Sequence, residues 1–586
     1  MYILGLSFDY HDAAAALVKD GVVVAAAQEE RFSRKKNDAS FPSSAVEFCL
    51  KHEGITVSDI DYVTFYEQTA LKLDRILRLN IGNLASTRDY LISTIDSWMH
   101  KRKLYTHERI SEYLGVNLSR IHSVSHHDAH SADAFFCSPF DEATIVTLDG
   151  VGEYETGTIS IGKKNTIQRL TSIELPHSLG LFYSAFTAYL GFRVDEDEYK
   201  VMGMAGYGTP ILYNEIMKFF ELYDDGRFSI DQRYFNFLAP QTIPYTNALI
   251  ELLGVPREPE SPFVIVNDPV NTDPVIEKSK HYANVAASLQ KCTEDVILHV
   301  VSRAIKRTGI NNVCMSGGVA LNSLANKRIK RELNCKLYIH PAAGDAGSAL
   351  GSALYYYHQN LGGSNRQPLT NIYLGLDYSD HEIKEAISKS FSRQYMRYND
   401  EATLIDTVAR LLNEGMIIGW FQGRFEWGPR ALGNRSILAD PTKASMKDIV
   451  NEKIKFREPF RPFAPAVLAH RAAEYFDIGE INSCADPEYF MLAIGNVHPH
   501  KHSQVPAITH VDGTARVQLV ERSVNPIYHD LIARFEDYSG VPIILNTSFN
   551  LRGEPIINSP MDAFRTFEWC DMDYLVLGNY LIKKEI

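Results

Sequence analysis

Hydrophobic residues in the first thirty positions fall into three short runs. Tyr2–Phe8 is apolar, Ala13–Val18 follows a polar turn, and Lys19-Asp20-Gly21 leads into Val22–Ala27. Apolar runs of this length between turn residues predict strands, and the Asp-Gly between two of them predicts a hairpin. The design recurs about 140 residues later: Ala143–Leu148 ends in Asp149-Gly150, and Thr156–Ile161 and Thr166–Leu170 flank the turn Gly162-Lys163-Lys164-Asn165. Asn312–Met315 is a further short strand, running into Ser316-Gly317-Gly318-Val319-Ala320-Leu321-Asn322 and a helix-like stretch. Lys336–His340, Met416–Phe421 and Val541–Leu545 read as strands and Asp380–Leu412 as helix-like, while residues 210–280, rich in Tyr, Phe and Pro without periodicity, read as an insertion.

A strand, a polar turn and a hairpin, twice over, is what the duplicated actin, Hsp70 and sugar-kinase architecture contains, each hairpin turning close to nucleotide phosphates. Glycines directly after a strand, as at Gly317-Gly318, let a backbone approach a ligand, and the helix N-terminus that follows favours an anion. The expected fold is therefore α/β. The cluster Leu361–Pro368 (LGGSNRQP) reads as a linker. It divides the chain into a domain over residues 1–365 and a second over 366–586, consistent with 586 residues at roughly 100–200 per domain.

Charge and cysteines narrow the classes. With 59 Lys plus Arg against 72 Asp plus Glu, the net charge of −13 argues against gripping a nucleic-acid backbone and leaves small anions open. The seven cysteines are scattered without a C-x-x-C pair, as buried thiols in the reducing cytoplasm would be. Met1–Asp9 lacks the features of a signal peptide, and no apolar run approaches the ~20 residues of a membrane helix.

His126 and His130, four apart, share one face if helical, which suits two imidazoles on one metal ion; a His-rich helix start with capping roles is the alternative. Asp149 after its strand and Asp345 in Gly344-Asp345-Ala346-Gly347 are carboxylates able to complete a mixed nitrogen–oxygen set suited to Fe, Mn or Zn. His11, at the first hairpin turn, is either a general base or an ordinary loop histidine. Gln422–Ser436 carries Arg424, Arg430 and Arg435 among glycines and aromatics, followed by Lys455-Phe456-Arg457, by Arg461 and later by Arg516. Such arginines suit bidentate capture of phosphate oxygens. Asn546-Thr547-Ser548-Phe549-Asn550 follows a strand, where a ligand would sit.

Taken together, FDYHDAA (8–14), EERFSRKK (29–36), His126–His130, LDGVGE (148–153), HSLGLFYS (177–184), Ser316–Asn322, Pro341–Gly347 and Gln422–Asp440 resemble the O-carbamoyltransferases of the nodulation and antibiotic-biosynthesis type. The resemblance runs from the first strand to the C-terminus. It implies an actin-like duplicated, ribonuclease-H-type first domain similar to the tRNA threonylcarbamoyl transferase subunit. It implies a twisted α/β second domain similar to the one that makes threonylcarbamoyl adenylate, whose K-x-R…S-x-N signature matches Lys455-Phe456-Arg457 and Ser548-Phe549-Asn550.

Residue by residue, the resemblance implies His126, His130, Asp149 and Asp345 as metal ligands, with Fe2+ expected ahead of Mn2+ or Zn2+. It implies His11 near an acceptor hydroxyl, and Gly317, Gly318 and Asn322 beside an adenylate. It further implies Arg430, Lys455, Arg457, Arg461, Arg516, Ser548 and Asn550 around carbamoyl phosphate and ATP with Mg2+. The expected partners are these substrates and a hydroxyl-bearing small-molecule acceptor, with a homodimer as an open expectation and neither nucleic acid nor membrane involved. Two departures fall on the acceptor side: Asp197-Glu198-Tyr199-Lys200 where Gly-Glu-Tyr-Lys is usual, and Ala205-Gly206-Tyr207-Gly208 where Ala-Pro-Tyr-Gly is usual. An actin-fold small-molecule kinase and a nucleotide-switched binding protein are the rival classes.

Overall fold

The computed structural model describes residues 1–82, 84–238, 243–264, 273–390, 394–458 and 460–584. The chain forms two compact units, one of Met1–Leu6, Val18–Val22 and Thr56–Gln367, the other of Ser7–Leu17, Val23–Ile55 and Pro368–Ile586.

Two five-stranded sheets share one strand order. The first contains β1 (Tyr2–Ser7), β2 (Ala14–Lys19), β3 (Val22–Gln28), β4 (Tyr62–Phe65) and β5 (Ile121–Ser123), arranged β3-β2-β1-β4-β5, with β1 parallel to β4 and β4 parallel to β5. The second contains β6 (Glu142–Leu148), β7 (Glu155–Lys163) and β8 (Thr166–Glu174). After the small antiparallel pair β9 (Phe220–Leu222) and β10 (Phe228–Ile230) come its last strands, β11 (Asn312–Ser316) and β12 (Lys336–Ile339). Its order is β12-β11-β6-β7-β8, with β6 parallel to β11 and β11 parallel to β12. Counted within its own repeat, each sheet reads third, second, first, fourth, fifth, so the fold is a duplicated α/β fold. Parallel central strands covered on both faces demand continuous apolar sequence, and β1 obliges with Ile3, Leu4 and Leu6 all buried.

Within the first unit the His126–Phe136 and Asp345–Tyr355 helices lie against each other through small residues. A Cβ on Gly351 would strike the carbonyl of Ala129 on the facing helix, and one on Gly347 would stand 3.0 Å from the Asp133 carboxylate there. Both helices are buried on nearly every side.

The second unit is built on an eight-stranded mixed sheet. Its strands are β13 (Tyr395–Arg397), β14 (Ile418–Phe421), β15 (Arg435–Ala439), β16 (Ala464–Leu468), β20 (Gln518–Val520), β21 (Ile543–Ser548), β22 (Tyr574–Leu577) and β23 (Tyr580–Lys583). Their order is β13-β23-β22-β14-β15-β21-β16-β20, beside a three-stranded sheet of β17 (Phe476–Asp477), β18 (Ile494–Val497) and β19 (Thr514–Arg516). Alternation with period two gives the large sheet two apolar faces. Phe421, Ile437, Leu545 and Leu575 join one core with Phe564 and Phe567 of the Pro560–Trp569 helix. Their neighbours Trp420, Leu438, Ile544 and Val576 join the other, with Leu404, Val408, Leu531 and Phe535.

The helix expected over Asp380–Leu412 is two helices, Asp380–Lys389 and Glu401–Glu414, separated by strand β13. Ser379 and Asp400 each cap a new start, and Tyr395–Arg397 pairs antiparallel with Tyr580–Ile582. Edge pairing and a local cap outweigh helical periodicity there. Among the described residues the seven cysteines are unpaired, and no helix is long and apolar enough to cross a membrane.

Candidate functional site

His126 is the first residue of its helix, and His130 lies one turn on, so both rings leave the same face. Asp149 follows β6, and Asp345 opens the helix after Gly344. One ligand atom from each of the four lies within 4.8 Å of all the others. His126 Nε2 is 2.8 Å from Asp149 Oδ2 and 3.8 Å from Asp345 Oδ1. His130 Nε2 is 3.3 Å from the same Asp149 oxygen, and the two rings meet edge to face at 4.7 Å. Two imidazole nitrogens and two carboxylate oxygens, all converging, form a donor set that fits a divalent transition metal.

The surroundings hold these donors in place. Burial alone would raise the Asp149 carboxyl, but hydrogen bonds to His126 and His130 carry it well below the usual carboxylate range. Burial opposes charge on His130, while Asp133 and Asp149 more than offset it and push its pKa up to about 10. His130 Nδ1 sits 3.1 Å from Ser316 Oγ and 3.2 Å from Ser348 Oγ, and Nε2, which faces the cluster, also lies 3.4 Å from Ser348 Oγ. His127, between the two histidines, turns away to Thr147 Oγ1 and the Glu155 carbonyl. The Gly318 amide donates to Asp149 Oδ1 at 3.0 Å. Gly317 has φ of 91°, and a Cβ there would strike the Leu148 backbone, so the turn demands glycine. Asn322 caps the Ser323–Leu333 helix and pairs with Gln290.

Glu153 is a residue that the motif reading passed over. The His126 helix lacks a capping hydrogen bond from the Ser125 side chain, and the Glu153 carboxylate accepts the His126 amide instead, at 3.1 Å to each oxygen. Long-range capping of this kind leaves no spacing pattern; its one sequence signal was an acid in the LDGVGE stretch (148–153). At the departure from Gly-Glu-Tyr-Lys, Asp197 pairs with Lys200 at 3.0 Å, both nearly buried.

In the second unit, residues nearly a hundred positions apart converge. Lys455 Nζ donates to the Ser548 carbonyl at 2.8 Å, the Asn550 carbonyl at 2.7 Å and Asn550 Oδ1 at 2.7 Å, with Ser548 Oγ at 3.3 Å. Burial, with Arg457 and Arg461 nearby, holds its pKa well below the ordinary lysine value. Arg457 donates to Asn451 Oδ1 at 2.7 Å and lies over the Phe463 ring, while Arg461 reaches Glu458. Arg516 ends β19 beside His510, whose pKa burial, with help from Arg516, lowers to about 4.

The arginine block divides by role. Arg424 gives its guanidinium to the carbonyls of Gly375, Val24 and Leu374. Arg435, fully buried, gives its own to the carbonyls of Gln422, Gly423, Asn434 and Leu376 and stacks 3.6 Å over Phe421. These two build the loop. Its curl closes on Glu426, whose Oε1 accepts the amides of Leu432, Asn434 and Arg435. Arg430, half-buried, lies in the stretch so shaped. His11, in the same unit, has Nδ1 2.9 Å from Asp12 Oδ2.

Comparison with known proteins accords with this arrangement. Residues 2–354 match the family model for the carbamoyltransferase N-terminus, and residues 409–584 that for the carbamoyltransferase C-terminus. An uncharacterized protein of Synechocystis is 40% identical over 617 residues, covering 100% of this chain and 97% of its own. The nodulation protein NolNO of Sinorhizobium fredii is 37% identical, over 98% of this chain and 79% of its own. Among solved structures, full-length HypF in the phosphate- and nucleotide-bound form aligns at 15% identity with a TM-score of 0.33, covering 62% of this chain and 56% of its own. On both family models, and on NolNO at 37% identity over 98% of this chain, the chain belongs to the carbamoyltransferase family.

Proposed function

We propose that the protein is an ATP-dependent O-carbamoyltransferase acting on a hydroxyl-bearing small molecule. The observation that carries the reading is the meeting of Lys455 with Ser548 and Asn550, a buried amine gathered among oxygen acceptors, with the Arg457 and Arg461 guanidinium groups close enough to act on it. The two guanidinium groups suit an anionic substrate, whose negative charge would in turn favour the ammonium form of Lys455. In the second unit, water releases phosphate from carbamoyl phosphate, and the freed carbamate oxygen attacks the α-phosphorus of ATP and displaces pyrophosphate. Carbamoyl adenylate results. Lys455, Arg430, Arg457, Arg461 and Arg516 offset the negative charge of the phosphates, and Ser548 and Asn550 hold Lys455 in place. Mg2+ accompanies ATP as its counter-ion.

In the transfer step the acceptor oxygen attacks the carbamoyl carbon, AMP leaves, and the acceptor proton passes to His11, whose ring Asp12 orients. His126, His130, Asp149 and Asp345 would hold a divalent metal, which when bound supplies Lewis-acid polarisation of a carbonyl or phosphoryl oxygen. Gly317, Gly318 and Asn322 shape the backbone beside that cluster. The test is to incubate purified protein with ATP, Mg2+ and carbamoyl phosphate and separate the nucleotides. AMP with pyrophosphate is expected, and a hydroxyl-bearing metabolite panel should then show a carbamoyl mass increment. ADP as the product would favour a kinase and sink this reading.

A further inference from the structure

Asp133 lies on the His126–Phe136 helix three residues beyond His130, and neither side chain has any solvent exposure. Asp133 Oδ2 is 3.7 Å from His130 Nδ1, and neither of its oxygens has a hydrogen-bond partner among the described residues. Among the described residues no second cation is paired with it; Arg366, lying against the end of the same helix, gives its guanidinium to the Phe135, Phe136 and Ser138 carbonyls. His340, just past β12, comes close, since a Cβ on Gly347 would stand 3.0 Å from both Asp133 Oδ2 and His340 Nδ1. That nitrogen, however, already accepts the Ala342 amide at 3.3 Å and has no proton to give. Tyr338, also fully buried, faces Asp133 from β12. Ser316 donates its own proton to the Ala343 carbonyl at 3.2 Å, so its oxygen is left to accept from His130 Nδ1.

A buried carboxylate that lacks water and hydrogen bonds is costly unless a positive charge compensates it. The positive pole available to Asp133 is the Nδ1–H side of His130. That pole strengthens when the opposite nitrogen gives its lone pair to a cation, the arrangement by which a carboxylate behind a histidine ligand fixes tautomer and raises basicity. The geometry points to Asp133 as a positioning residue for the metal centre. Its carboxylate, 3.7 Å from Nδ1, draws the Nδ1–H side of His130 toward itself alongside Ser316 Oγ, so that the Nε2 lone pair faces Asp149 and Asp345, where a cation would be held. The inference rests on reading the four-residue cluster as a metal site, and it ties metal affinity to a residue that touches no metal.

The experiment titrates metal-stripped wild type, Asp133→Asn and Asp149→Ala with Co2+ as a visible probe. It records affinity against a competing chelator, the d–d absorption band and the thermal midpoint with and without Co2+. Wild type is expected to bind Co2+ and Asp149→Ala to lose it. Asp133→Asn should bind roughly 10- to 100-fold more weakly with a shifted band. Its thermal midpoint should rise less on adding Co2+ than that of wild type. Should Asp133→Asn fail to fold, Asp133→Ser, neutral and smaller, carries the same expectation. Wild-type affinity and an unchanged band in either variant would overturn the role of Asp133 while leaving the cluster standing. Equal Co2+ binding by wild type and Asp149→Ala would instead remove the metal site, and this inference with it.

Discussion

Replacing Lys455 with methionine separates chemistry from architecture at the proposed adenylating site. In the structure Nζ serves three close oxygens, the Ser548 carbonyl, the Asn550 carbonyl and Asn550 Oδ1. Two keep other donors after the substitution: the Asn550 amide still reaches the Ser548 carbonyl at 3.1 Å, and Ser548 Oγ still reaches Asn550 Oδ1 at 2.7 Å. The Asn550 carbonyl is the group that loses most, and Asn550 is only half-buried, so water can replace the ammonium. One imperfectly satisfied carbonyl costs about 1 kcal/mol, and removing a desolvated charge returns part of it. Stability should therefore move by no more than about 1–2 kcal/mol, read from a urea midpoint at unchanged slope. Losing a lysine that a bound phosphate would draw into its ammonium form should cost about 2.7–4 kcal/mol in the barrier, or roughly 100- to 1000-fold in AMP formation. A variant that forms AMP within tenfold of wild type refutes the assignment. One that forms none because it has lost more than about 4 kcal/mol of stability shows Lys455 to be a strut instead.

Other consequences can be measured directly. His126→Ala should lose bound metal, scored by elemental analysis, and abolish carbamoyl transfer while leaving ATP cleavage to AMP and pyrophosphate intact; loss of both activities in a folded variant would contradict the division of labour. Gly317→Ala places a methyl against the Leu148 backbone at a φ of 91°, so it should destabilise the protein by about 2–4 kcal/mol in denaturant melts. His510 has its pKa lowered to about 4 from 6.5, chiefly by burial, so between those values the unfolded chain takes up the proton first. Stability is then full above about pH 6.5 and falls by about 3 kcal/mol as pH drops to about 4, and His510→Asn should flatten that part of the wild-type profile.

Much of the architecture was legible because it is written in local pattern. Alternating and continuous apolar runs marked β1 to β3, β6 to β8, β11, β14 and β21, and the Asp-Gly at 20–21 marked a hairpin. The ligand-like pair His126 and His130 was visible from spacing, and Lys455 with Ser548 and Asn550 from resemblance. What the sequence hid is whatever depends on pairing across distance. Arg424 and Arg435 look like their neighbour Arg430 on paper, yet they spend their guanidinium groups on carbonyls from segments far away in the chain. The break in the expected 380–412 helix follows from a partner strand near the C-terminus. Asp133 reads as an ordinary polar helix residue until burial shows that it has no solvent.

Glu153 does more than cap one helix. Its Oε1 also accepts the amide of Gln68 at 2.7 Å, the residue that opens the Thr69–Ile81 helix, which has no side-chain cap of its own. Two helix starts, 58 positions apart in the chain (Gln68 and His126), thus hang from one carboxylate. Their stabilities cannot be independent. A perturbation that unseats Gln68 shifts the same group that holds the His126 amide, so substitutions at the two sites should show a coupling energy in a double-mutant cycle where distant residues would simply add. Anything that orders the Thr69–Ile81 helix would by the same reciprocity tighten His126, the first residue of the cluster.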